Sequence, residues 1–242
     1  MKIQRLLQEK QQDLTKNQPI TIAFLGDSVT QGCFECYLTS PTSLQTVFDY
    51  QSAYSTRVRE LLNLLYPTVQ INIINSGISG DSAPVGAQRF ERDVLSYNPD
   101  LVVISYGLND SVQGLDGLEQ YKVALAEMFS KLKERQIDCI FLTENVMNST
   151  VSPHLTDKLF IDLAHRFANE VQNNGVLHTY FETAKEVCLE YGVKVCDLHS
   201  VWEKLISLGV DTTELLANKL NHPIREIHYY MAIKLIETML LG

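Results

Sequence analysis

The chain has 242 residues, 45% of them hydrophobic and 9% aromatic, which is enough for a full core and excludes intrinsic disorder. Twenty Lys and Arg against 29 Asp and Glu leave a formal charge of −9, which argues against nucleic acid or an anionic membrane as main partner. The N-terminal MKIQRLLQEKQQDLTKNQ has no apolar core of signal-peptide length, and no stretch approaches the roughly 18 apolar residues of a membrane span. A cytoplasmic protein is expected.

The leading segment places Ile3, Leu6, Leu7 and Leu14 as an amphipathic helix against a sheet. The first strand candidate is 20–25. Tyr54, Val58, Leu61, Leu62 and Leu65 then recur at helical spacing until Pro67 ends the segment. Strand candidates follow at 69–74 and 101–105. Leu118, Tyr121, Leu125, Met128 and Leu132 mark a helix after Asp116, with Glu119 placed for a capping-box-like start. A fourth strand is expected at 139–143, a long helical stretch at 156–191 broken near Asn173-Asn174-Gly175, and a fifth strand at 193–196. Pro223 is expected to open a last helix carrying Ile227, Met231 and Leu235. The strands are apolar on consecutive positions, as in parallel sheets covered on both faces. The reading is an α/β chain, a three-layer α/β/α sandwich. No linker or repeat divides it, so residues 1–242 are expected to form one domain.

Ligands of such sheets bind beyond the carboxyl ends of the strands. There the first strand delivers Gly26-Asp27-Ser28, the second Asn75-Ser76-Gly77, and the third Gly107-Leu108-Asn109-Asp110. A hydroxyl beside a bare backbone N–H and a side-chain amide is the set that acyl transfer uses: a nucleophile, and donors for the developing oxyanion. Ser28 could equally serve as a plain helix cap, and Asn109 and Asp110 as turn residues. Asp27 is expected to hold the Ser28 turn. Among six histidines, His165, His178 and His228 fall within helical patterns and His199 caps the helix carrying Trp202. His222, in Asn221-His222-Pro223, sits where an imidazole can reach Ser28, although position alone leaves its role open.

Phe24-Leu25-Gly26-Asp27-Ser28, Asn75-Ser76-Gly77, Gly107-Leu108-Asn109-Asp110 and His222-Pro223, in this order, resemble the four sequence blocks of the SGNH hydrolases, or GDSL-type lipases/acylhydrolases. The resemblance implies a flavodoxin-like five-stranded parallel sheet. It makes Ser28 the nucleophile and His222 the general base of a serine esterase, with an oxyanion hole of Ser28 N–H, Gly77 N–H and the Asn109 amide. A small-molecule ester is the implied substrate, with no cofactor and no metal, and a short acyl group on a carbohydrate is favoured. A binding protein that keeps the fold without efficient catalysis and an acyltransferase are the alternatives. Lys219 stands where the family places the aspartate that orients the histidine. A backbone carbonyl of the 218–221 loop is expected to replace it, with Asp197 as the first candidate for an acid from elsewhere. Cys33 and Cys36 form a CxxC, but Ser28 occupies the post-strand turn a redox pair would need, and no second ligand pair supports zinc.

Overall fold

The computed structural model describes residues 1–40 and 43–242. In chain order it contains α1 (Lys2–Gln12), β1 (Ile20–Gly26), α2 (Ser28–Gln31), β2 (Cys33–Ser40), β3 (Ser43–Phe48), α3 (Tyr54–Leu65), β4 (Ile71–Gly77) and α4 (Ala83–Asp93). There follow β5 (Leu101–Ser105), α5 (Leu108–Ser111), α6 (Leu118–Glu134), β6 (Asp138–Leu142) and α7 (Lys158–Arg166). The remainder is α8 (Val176–Tyr191), β7 (Lys194–Cys196), α9 (His199–Ser207) and α10 (Arg225–Leu240).

Five strands form one parallel sheet in the order β4-β1-β5-β6-β7. Counted within the sheet this is the flavodoxin-like order 2-1-3-4-5, whose switch point lies beside the first strand. Helices α1, α3 and α10 pack together on one face, and α4, α6 and α8 on the other. The three-layer expectation holds. Every residue of β5 and nearly every residue of β1 is buried, whereas β4 at the edge is mostly part-exposed. That gradient is why the two central strands read as unbroken apolar runs. The registers Gly26↔Gly77 and Gly26↔Ser105 bring three strands to a flush carboxyl edge. No helix among the described residues is long and apolar enough to cross a membrane.

Several local expectations needed correction. A two-stranded antiparallel hairpin, β2 with β3, stands outside the main sheet and was not foreseen. Helix α6 starts at Leu118 behind a 3-10 turn over Gly114–Gly117, and no side chain caps it, so the Asp116–Glu119 capping box does not form. Pro223 does not open α10: it forms a β-bridge with Leu216, and Ile224 stays extended before the helix begins at Arg225. Leu14 lies beyond α1, which ends at Gln12. The break near Gly175 is present, preceded by a π-helical turn over Phe167–Gln172.

Candidate active site

Ser28 opens α2, a single turn set directly on the end of β1. Such a short helix is held by its cap: Asp27 accepts the Val29 N–H on Oδ1 at 2.9 Å. From β4, Gly77 lies against the same turn, so close that a Cβ there would sit 2.7 Å from the Gln31 Cα and collide with the Gln31 nitrogen. After β5, Gly107 has φ +149, and a Cβ on it would lie 2.6 Å from the Phe181 ring. Only glycine combines that backbone with that approach.

His222 arrives from the loop before α10. The Asn218 side-chain oxygen gathers three successive backbone N–H groups, those of Leu220, Asn221 and His222, at 3.0, 2.9 and 2.9 Å. Asn145 holds the Asn221 carbonyl at 2.8 Å. The imidazole bridges two partners, with Nε2 2.9 Å from Ser28 Oγ and Nδ1 2.9 Å from the Phe34 carbonyl oxygen. A carbonyl only accepts, so Nδ1 carries the proton and Nε2 offers a lone pair to the Ser28 hydroxyl. Burial pushes the His222 pKa below its ordinary value, outweighing the opposing effects of Phe34 and Glu35. The ring is therefore neutral at pH 7 and of the tautomer that can take a proton from Ser28. Both residues are nearly enclosed, Ser28 3% and His222 5% exposed.

This geometry corrects two expectations. The carbonyl that fixes the imidazole belongs to Phe34 of β2, not to the 218–221 loop. Asp197 does not face His222: its carboxylate binds the Thr143 hydroxyl, the Ser200 hydroxyl and N–H, and Lys185 Nζ at 2.6 Å. Lys219, at φ 58, turns outward to Glu214, 2.8 Å away. Cys36 Sγ lies 3.9 Å from His222 Nδ1, and both CxxC thiols are free. The two cysteines sit in β2, not at a helix N-terminus.

Gly77 and Asn109 flank the Ser28 turn, with their donors already engaged. Gly77 N–H donates to Asn75 Oδ1 at 3.0 Å, and Asn109 Nδ2 donates to Asp27 Oδ2 and to the Asp81 carbonyl at 3.0 and 2.8 Å. The Ser28 N–H belongs to a first helical turn, which has no intrahelical acceptor.

Beneath the turn lies a buried acid cluster that reading the sequence missed. Glu144, after β6, accepts the Leu108 N–H at 3.1 Å and contacts Asp27. Both carboxyls are buried without a cation between them, and desolvation raises both pKa values, so at neutral pH the pair retains a proton. Asp27 already receives two N–H donors, which favours its charge and leaves Glu144 as the protonated partner. Asp110 accepts the Ala83 N–H, and burial raises its pKa to about 7. Arg89 offsets the remaining charge. It binds Asp81, the Tyr106 hydroxyl, and the Gly26 and Ser76 carbonyls that end β1 and β4. A faint signal existed: Arg89 falls within the buried face of α4 formed by Ala83, Gly86, Ala87 and Phe90, where Gly86 abuts the Tyr106 ring. Glu144 gave none. A cavity of about 460 Å³ lies at the opposite, amino edge of β6 and β7 and has no part in this constellation.

The family model for the GDSL-like lipase/acylhydrolase family matches residues 24–228. An acetylxylan esterase from Geobacillus stearothermophilus is 34% identical over 89 residues, 37% of this chain and 39% of that protein. The chain thus spans about two fifths of the curated relative. A crystal structure of a catalytic mutant of an acetylxylan esterase from the same organism superposes with a TM-score of 0.66 at 18% identity, covering 91% of this chain and 94% of the other. A two-domain esterase active on acetylated mannans gives 0.63 at 19% identity, covering 97% of this chain and 52% of that one. At such identities the superpositions speak for the fold alone. The family match spans most of the residues and all four strand-end and loop segments described above: the chain belongs to the GDSL-like lipase/acylhydrolase family.

Proposed function

We propose that the protein is a serine carboxylic ester hydrolase working through an acyl-enzyme, with a Ser28–His222 dyad. Ser28 Oγ attacks the ester carbonyl while His222 Nε2 takes the hydroxyl proton. The imidazolium returns that proton to the leaving alcohol, and water then repeats the sequence to release the acid. The Phe34 carbonyl holds Nδ1–H throughout, in place of the carboxylate a triad would use. The oxyanion is received by Ser28 N–H, Gly77 N–H and the Asn109 amide, the last two turning from or sharing their present acceptors. The observation that carries the reading is the unbroken line Ser28 Oγ, His222 Nε2, His222 Nδ1, Phe34 O, with both separations 2.9 Å.

The substrate we propose is a short-acyl ester, an acetylated carbohydrate first. By their names, the acetylxylan esterase relative acts on acetylated xylan and a structural neighbour on acetylated mannans, and the near-enclosure of Ser28 leaves little room for a long chain. Five free thiols fit a reducing, cytoplasmic setting. A dyad stabilises the imidazolium with a dipole rather than a charge, so turnover is expected to be modest. The test combines a fluorophosphonate probe with acetylated xylo- and manno-oligosaccharides and p-nitrophenyl esters of increasing length. Labelling confined to Ser28, lost in Ser28→Ala, with rates falling as the acyl chain grows, supports the proposal. An unlabelled folded protein would mark a binding module, and acyl appearing on an added alcohol instead of water would mark a transferase.

A further inference from the structure

Away from Ser28, three side chains converge between α8 and α9. His199 and Glu203 stand one helical turn apart on the same face of α9, and His178 comes from the first turn of α8. One nitrogen of each ring and a Glu203 carboxylate oxygen all lie within 4.8 Å of one another. His178 Nδ1 is 2.8 Å and His199 Nε2 3.5 Å from the same Glu203 oxygen, Oε1.

The second observation concerns His199 itself. It is 1% exposed, packed against the Phe181 ring at 4.6 Å, and among the described residues neither ring nitrogen has a hydrogen-bond partner. A buried imidazole without partners is destabilising, and such groups call for an explanation. Here the unsatisfied Nε2 is the atom aimed at Glu203.

We propose that His178, His199 and Glu203 form a binding site for a zinc-class divalent ion. Two imidazoles and one carboxylate are a donor set for nitrogen-preferring first-row ions, not for Mg²⁺ or Ca²⁺, which take oxygen. With metal–ligand bonds of about 2.0–2.2 Å, a tetrahedral ion spaces its ligands by roughly 3.3–3.5 Å. The His199–Glu203 separation already has that value, and the His178–Glu203 contact opens by about half an ångström as the ring turns. His178 and Glu203 are partly exposed, which supplies an entry path and leaves the fourth position to water.

The experiment is calorimetric titration of the EDTA-treated full chain with Zn²⁺ at pH 7.5, repeated with His178→Ala and Glu203→Gln. Both positions are partly exposed, so these variants are expected to fold. Parallel Co²⁺ titrations are read by visible absorption. One ion bound with Kd below about 10 µM, weakened about tenfold or more in each variant, and a four-coordinate Co²⁺ spectrum are expected. Ester hydrolysis by metal-free His178→Ala should match that of the metal-free parent. Absence of binding to the parent, or an affinity unchanged in both variants, as it would be for an ion held by Cys33, Cys36 and His222, overturns the proposal.

Discussion

His222 has two hydrogen-bonding nitrogens, and each meets a partner of fixed character. Because the Phe34 carbonyl cannot donate, the tautomer is set without an acid. The kinetics should then resemble those of a neutral base: kcat/KM level at and above neutral pH and falling on the acid side, with a midpoint below pH 6.5, since burial depresses the pKa. Under the proposed mechanism His222→Ala lowers the rate roughly 10³-fold or more. Asp197→Asn and Lys219→Ala lower it less than about tenfold, because neither side chain reaches the imidazole. An Asp197→Asn loss as deep as that of His222→Ala, in a folded protein, would restore a carboxylate to the mechanism. Glu144 offers a second test. Gln reproduces the protonated acid, accepting from Leu108 N–H and donating to Asp27, so Glu144→Gln should keep activity within about tenfold. Glu144→Ala leaves the buried Leu108 N–H and the Asp27 carboxylate short of a partner. Its stability should fall by about 1–3 kcal/mol or more in urea titration, and activity with it.

At the scale of elements, α2 carries Ser28 yet is one turn long, far below the length at which a helix persists alone. It stands because β1, β4 and β5 end together and the turn is pressed between them. Gly77→Ala tests this directly. Its methyl meets backbone atoms of Gln31, which cannot rotate aside, so the change should destabilise by about 1–3 kcal/mol. A matched fall in kcat should accompany it as the turn shifts. An unaltered melting temperature would show that α2 yields freely. The same dependence explains what reading the chain revealed and what it missed. Buried strands and their terminal Gly, Ser and Asn residues write themselves locally, whereas His222 joined Ser28, Gly77 and Asn109 only through the resemblance of the four sequence blocks. Phe34 contributes only a carbonyl, which every residue has, and nothing in its side chain marks it. Glu144 and Arg89 take their meaning from partners 36 and 63 positions away in the chain. Pro223 looked like a helix start because proline favours a first turn, but pairing with Leu216 outweighed that local preference.

For the whole molecule, buried titratable groups shape stability against pH, and they pull in opposite directions. His228, fully buried in α10, accepts the Tyr54 N–H at 3.2 Å, and burial takes its pKa from 6.5 to about 3. Its contribution is complete above pH 6.5 and is lost as the pH falls toward 3, at up to about 1.4 kcal/mol per pH unit. Asp110 behaves in reverse. Its folded pKa is raised, so its contribution is complete below pH 3.8 and is lost as the pH rises through about 7. Asp110→Asn keeps the oxygen that receives Ala83 N–H and removes the ionisation. Its stability relative to the parent, from urea unfolding at pH 5 and pH 8, should therefore improve with rising pH. A pH-independent difference would mean that Asp110 titrates as it does in the unfolded chain.

The Phe34 carbonyl belongs to a hairpin outside the sheet, and a two-stranded ribbon is only marginally stable by itself. It is clamped to α10 by Arg225, which pairs with Glu35 at 2.6 Å and Asp49 at 2.9 Å and lies over the Phe34 ring. Those ion pairs are partly exposed and sensitive to salt. Local opening of this ribbon would release Nδ1–H, so that the ring can turn away from Ser28 or exchange its proton through water to the Nε2–H tautomer, which cannot accept from the Ser28 hydroxyl, while the sheet remains intact. Catalysis would then fail before the molecule unfolds. In a guanidinium titration, initial rates should collapse at a lower denaturant concentration than the far-ultraviolet helical signal. Arg225→Ala should widen the gap between the two midpoints, whereas coincident midpoints in both proteins would show that hairpin and sheet melt as one unit.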